Sequence, residues 1–97
     1  MTRLEPVHPG EVLKHDDSEP LGLSAAALAA AIGVTPARIS EIVRGRRGIS
    51  AETALRLARY FGTDARSWMN LQQGWVLERA ARDEAAAIAA ARPRAAG

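Results

Sequence analysis

Cysteine is missing from all 97 residues, which excludes a disulfide framework and a thiolate zinc site. Long apolar runs are missing as well. Apolar residues make up 47% of the chain, but charged residues, or Gly, Ser, Thr and Pro, interrupt them, and the longest unbroken run, residues 25–32, is far short of the roughly 20 residues that span a bilayer. Met1–Gly10 lacks the basic-then-apolar layout of a secretory leader, so a cytoplasmic address is expected. Neither strand-like alternation nor an internal repeat occurs, which leaves an all-α fold. There is no thiol nucleophile and no serine with a histidine beside it, so the chain reads as a non-enzyme. His8, Glu11 and His15 stand at i, i+3 and i+7, but a metal site needs three or more fixed ligands, and none is expected here.

What is present is arginine, unevenly placed. Of 13 basic residues only Lys14 is a lysine. Residues 1–34 hold two basic and five acidic groups, residues 35–59 six and two, and residues 60–97 five and four, giving −3, +4 and +1. Positive charge is therefore concentrated in the middle of a chain long enough for one compact helical domain.

Five helices follow from caps and periodicity. Pro9 suits the first position of helix one, which is expected to stop before Ser18-Glu19-Pro20-Leu21-Gly22, because a proline pushes its predecessor out of the helical region. Ser24 caps a second helix with Leu28, Ala29 and Ile32 on one face and Gly33 at its end. Thr35-Pro36 starts a third almost at once, with Ile39, Ile42 and Val43 as its apolar stripe and Gly45 as its stop. Ser50 caps a fourth, striped by Ala54, Leu57, Ala58 and Phe61. Thr63 or Asp64 caps a fifth, carrying Trp68, Leu71 and Trp75. Beyond Glu78 the expectation is a fraying helix. The domain plan is an arm over 1–8, a helical domain over 9–79 with a helix-turn-helix at about 24–44, and an Ala/Arg-rich tail over 80–97, partly helical and then disordered.

Two short helices joined at a glycine, the second amphipathic with a basic exit, are the arrangement of a helix-turn-helix, although helical hairpins that merely pack also use small residues and glycine. The wider pattern is more specific. His8-Pro9-Gly10-Glu11-Val12-Leu13, Glu19-Pro20-Leu21-Gly22-Leu23-Ser24, the run from Arg38 to Ser50, the run from Thr53 to Thr63, and Trp68-Met69-Asn70-Leu71-Gln72 together resemble HigA antitoxins over roughly residues 8–77. That resemblance implies a five-helix, lambda-repressor-like fold of the Xre type and a homodimer that represses its own operon. It also implies a HigB-type toxin partner that cleaves mRNA. Two positions depart from the pattern: Ala25 replaces a common Gln, and Asp17-Ser18 replaces an apolar pair, which implies a helix one that ends early and packs less. A stand-alone small regulator and an interaction module without DNA binding share the same helical pattern.

For double-stranded DNA, the exposed start of helix three points to Thr35, Ala37, Arg38, Ser40 and Glu41 as the base-reading set. Arg38 leads, because a guanidinium spans the O6 and N7 of guanine. Glu41 is better placed for a local pair with Arg38 or Arg44, at i−3 and i+3, than for a base. Arg44, Arg46 and Arg47, leaving the helix together, are assigned to phosphate, with Ser24 and Ser50 as further donors that also cap. Trp68 is expected in the core, and Trp75, Val76 and Leu77 at a dimer contact. A two-fold dimer would place two such helices about 34 Å apart and call for an inverted-repeat operator.

Overall fold

The computed structural model describes residues 7–95, and within them every regular element is helical. Residues 1–6 of the expected arm and 96–97 of the expected tail lie outside the described residues. Helix α1, Pro9–Val12, does not end before Pro20. It widens into a π-helical turn over Leu13–Ser18 and then tightens into a 3-10 turn over Glu19–Leu21. Glu19 holds φ −61° and ψ −44°, a conformation that a following proline disfavours without forbidding. Pro20 sits in the first turn of the 3-10 segment, where its missing N–H has no partner to lose. The Leu23 N–H then bonds Ser18 O at 2.9 Å, and the chain turns away.

The departure at Asp17-Ser18 therefore does not shorten this helical stretch, but it leaves two polar groups in poor surroundings. Ser18 is buried with no partner for its hydroxyl. Burial, and Asp16 alongside, push the Asp17 carboxyl above its usual range.

Helix α2, Ala25–Ile32, starts where the Ser24 oxygen accepts from the Ala27 N–H, and it buries Leu28, Ala29 and Ile32. Gly33 ends it at φ 78°, a left-handed conformation that costs glycine little. Thr35 caps α3, Pro36–Val43, by accepting from the Arg38 N–H, while Ile39 and Ile42 face the core. The exit of α3 is closed by Gly45 N–H to Ile42 O and Arg46 N–H to Glu41 O, the paired bonds of a Schellman ending. Helix α4, Ala51–Phe61, begins on Ser50 and buries Thr53, Ala54 and Leu57. Of the two candidate caps for the next helix, Asp64 is the one that accepts, from the Arg66 N–H, and α5 runs over Ala65–Asp83. Helix α6, Ala85–Ala90, follows it.

One core joins these elements: Leu13, Leu28, Ala29, Ile32, Ile39, Ile42, Ile49, Ala54, Leu57 and Trp68. Ile49, from the basic loop, is a member that periodicity does not reveal. Its N–H donates to Gln72 Oε1 at 2.7 Å, so a buried glutamine on α5 satisfies the loop's backbone. Leaving such a donor unpaired costs about 1–3 kcal/mol. Gly10 lets α1 approach α3 closely. A methyl group built on it would stand 2.7 Å from the Ile42 carbonyl carbon and overlap the oxygen, so α1 lies directly against the backbone of α3.

Candidate nucleic-acid interface

The solvent side of α3 follows from its buried side. With Ile39 and Ile42 in the core, Thr35 and Ala37 are exposed, and Arg38, Ser40 and Glu41 are half-buried on the flanks. A side chain from outside the motif holds the turn before α3. Arg56 of α4 donates through Nη1 to the carbonyls of Ile32, at 2.8 Å, and Gly33, at 3.4 Å. Two otherwise unsatisfied carbonyls at the end of α2 thus gain a charged donor.

Arg38 and Arg47 line one cleft of about 340 Å³ with Gly48, Ser50, Glu52 and Thr53. Arg38 Nη1 lies 3.6 Å from Glu52 Oε1, and its Nε is buried without an acceptor. Glu41 pairs with neither Arg38 nor Arg44, the two helical neighbours expected from sequence. The Schellman ending folds the chain back over the last turn of α3, and Arg47 reaches Glu41 Oε1 at 3.0 Å instead.

The three loop arginines do not form one group. Arg47 is tied to Glu41 on the α3 side, whereas Arg44 lines a separate hollow with His8, Glu11, Val43, Gly45, Trp75 and Arg79. Arg46 is exposed, and among the described residues neither it nor Arg44 has an ion pair. Ser24 and Ser50 both spend their hydroxyl oxygens on helix caps.

His8, weighed from sequence only as a metal ligand, works as a cap and a hub. Its Nδ1 accepts from the Gly10 N–H at 2.9 Å, and its ring meets Trp75 edge-on at 4.7 Å. Burial lowers its pKa, while Glu11 and a hydrogen bond to the Arg47 backbone pull the other way. A neutral His8 in the folded state means stability that is complete above the unfolded value of 6.5 and is lost as pH falls through the lower folded value. The expected result is a melting temperature that declines between pH 7 and pH 5 more steeply in the wild type than in His8→Asn, which keeps a cap but does not titrate. Equal slopes would remove His8 as the cause.

His15 is paired with Glu19 at 3.0 Å, and no group of three or more metal-type ligands occurs among the described residues. Nor is any described helix long and apolar enough to cross a membrane. Trp68 is buried as expected, whereas Trp75 is half-buried between His8 and the Arg79 guanidinium, 5.2 Å from its ring. Val76 and Leu77 are 45% and 72% exposed, so this monomer leaves both uncovered.

Sequence reasoning passed over Arg56, Glu52, Gln72 and the capping role of His8. A helical i, i+4 signal was available for the first two and for Gln72 behind Trp68. No local signal shows that Arg56 and Glu52 reach across to the α2–α3 unit.

A Helix-turn-helix family profile matches residues 19–68 of the chain. Virulence-associated protein I of Dichelobacter nodosus is 56% identical over 78 residues, which cover 80% of this chain and 72% of that protein. Antitoxin HigA-1 of Vibrio cholerae is 37% identical over 71 residues, covering 73% of this chain and 67% of its own length. Among solved structures, the Pseudomonas aeruginosa antitoxin HigA with the higBA promoter superposes with a TM-score of 0.90 at 41% identity, over 94% of this chain and all of that one.

Proposed function

The chain belongs to the Helix-turn-helix family and within it to the HigA antitoxins, and from that premise we propose that it is the antitoxin of a HigBA-type module. In this reading it binds an inverted-repeat operator in double-stranded DNA as a homodimer and represses its own operon. It also neutralises an mRNA-cleaving toxin. It acts in the cytoplasm, by binding and not by catalysis.

One observation supports the DNA-binding part above the others. The start of α3 leaves Thr35 and Ala37 exposed and Arg38 half-buried on its flank while Ile39 and Ile42 anchor the helix in the core, and it exits into a loop whose Arg44 and Arg46 have no ion pair among the described residues. Thr35, Ala37, Arg38, Ser40 and Glu41 are assigned to base readout. Arg44, Arg46, Arg47, Ser24 and Ser50 are assigned to phosphate, Ser24 through the hydroxyl proton that capping leaves free and Ser50 by exchanging its 3.2 Å bond to Thr53 Oγ1 for a phosphate oxygen. Trp75, Val76 and Leu77 are assigned to the dimer contact, Trp75 by its exposed edge.

Anisotropy titration against the chain's own upstream duplex and a scrambled one, at several salt concentrations, tests this. Tight binding to the native duplex alone is expected. Arg44→Ala with Arg46→Ala should weaken both duplexes alike and flatten the salt dependence by about two units of log–log slope, one for each phosphate left without its arginine. Equal, weak binding to both duplexes by the wild type would reduce the loop to a non-specific basic surface.

A further inference from the structure

Among the residues lining the cleft beside α3 one is acidic, and a surface built to meet phosphate gains nothing from a carboxylate there. Glu52 lies in the first turn of α4, where it complements the helix dipole. That role needs a negative charge but does not require the geometry observed. Each carboxylate oxygen has its own arginine: Oε2 accepts from Arg56 Nη2 at 3.2 Å, and Oε1 stands 3.6 Å from Arg38 Nη1. The same Arg56 holds the turn that leads into α3. Glu52 therefore joins the group that fixes the turn to the group assigned to read bases.

The position of Arg38 in the free protein is incompletely satisfied. Its Nε is buried and donates to nothing, so the side chain is held in place mainly by Glu52. An acceptor pair that engages more of the guanidinium gives Arg38 a better environment than the one it leaves. The O6 and N7 edge of a guanine supplies two aligned acceptors. A single phosphate contact exchanges one anionic partner for another and brings a second negative group towards Glu52.

Building on the reading of α3 as the DNA-reading helix, we propose that Glu52 is a specificity-determining latch: it holds Arg38 against α4 and releases it to a base edge in preference to the phosphate backbone. Glu52 touches no DNA in this scheme; it is a positioning residue, and its effect is on discrimination.

The test measures Glu52→Gln and Glu52→Asp on the native upstream duplex and the scrambled one, each also in an Arg38→Ala background, with melting curves to confirm folding. Gln keeps an acceptor for Arg56 but loses the charge. Asp keeps the charge and is one methylene too short to serve both arginines. Both variants are expected to bind the scrambled duplex roughly two- to fivefold more tightly, the range spanned by one exposed ion pair. Native-duplex affinity should change less, so the ratio of the two falls. For the scrambled duplex the salt slope should steepen by about one, as the released Arg38 finds phosphate. In the Arg38→Ala background the ratio should no longer respond to residue 52.

If Glu52→Gln tightens both duplexes equally while Glu52→Asp changes neither, Glu52 is only a general repulsive charge and the latch is wrong. An unchanged ratio in both variants also overturns it. A wild type that shows no preference between the duplexes is a different failure: it removes the base-reading role of α3 itself, and the latch with it.

Discussion

Gly10→Ala is expected to lower the melting temperature by roughly 8–16 °C, a far larger effect than such a small change usually has. The added methyl meets the backbone of Ile42, and a carbonyl cannot rotate aside as a side chain can. Either α1 or α3 has to move. Overpacking of this kind costs typically 1–3 kcal/mol, occasionally more, and each kcal/mol is worth about 4–8 °C in a domain of this size. Against it stands about 1 kcal/mol of improved helix propensity, so the steric cost must lie at the upper end for the net loss to appear. Gly74→Ala is the matched control. Gly74 lies within α5 with nothing within 4 Å of an added Cβ, so the same substitution should raise the melting temperature by about 4–8 °C. Opposite signs from one chemical change would establish the contact between α1 and α3. If Gly10→Ala stabilised the chain as Gly74→Ala does, that close approach would not exist in solution.

The second large effect concerns recognition. Arg38→Ala should cost about 1–3 kcal/mol of discrimination between the native and scrambled duplexes, or roughly five- to 150-fold in their affinity ratio. Stability should hardly change, because the pair with Glu52 is long at 3.6 Å and open to solvent on the Glu52 side, and such pairs are worth about 1 kcal/mol or less. Affinity for the scrambled duplex should fall only slightly. Anisotropy titration at fixed salt separates this from the alternative: parallel losses on both duplexes, with the salt slope reduced by about one, would move Arg38 to the phosphate group.

Much of the fold is written locally in the chain. Ser24, Thr35 and Ser50 announce three helices as caps, and each accepts the backbone N–H three residues on. Gly33 marks the turn, and Ile39 with Ile42 gives α3 its buried side. Pro20 misled because the proline rule describes a preference of one residue, and Glu19 keeps helical angles between a widened and a tightened turn in spite of it. Glu41 misled for a related reason. Helical spacing gave it two neighbours, but a backbone reversal supplied a third in Arg47 that spacing cannot count. Ile49 and Gln72 were hidden because each looks polar in context: one sits in an arginine loop and the other in a run of amides, and only their mutual bond at 2.7 Å explains both. The side chains that hold the candidate site in place, Arg56 and Glu52, come from a helix beyond the motif, and their reach is a property of the packed fold.

The Arg56 bonds to Ile32 and Gly33 bear on how portable this motif is. A recognition unit that closed its own turn could be cut out and grafted onto another scaffold with its aim intact. Here the angle between the two helices is maintained from outside by a neighbour more than 20 residues downstream. Helices α2 and α3 alone are therefore not a transferable cassette. A chimera that borrows this protein's reading surface has to import α4 with it, and exchange between relatives should keep the three helices as one block.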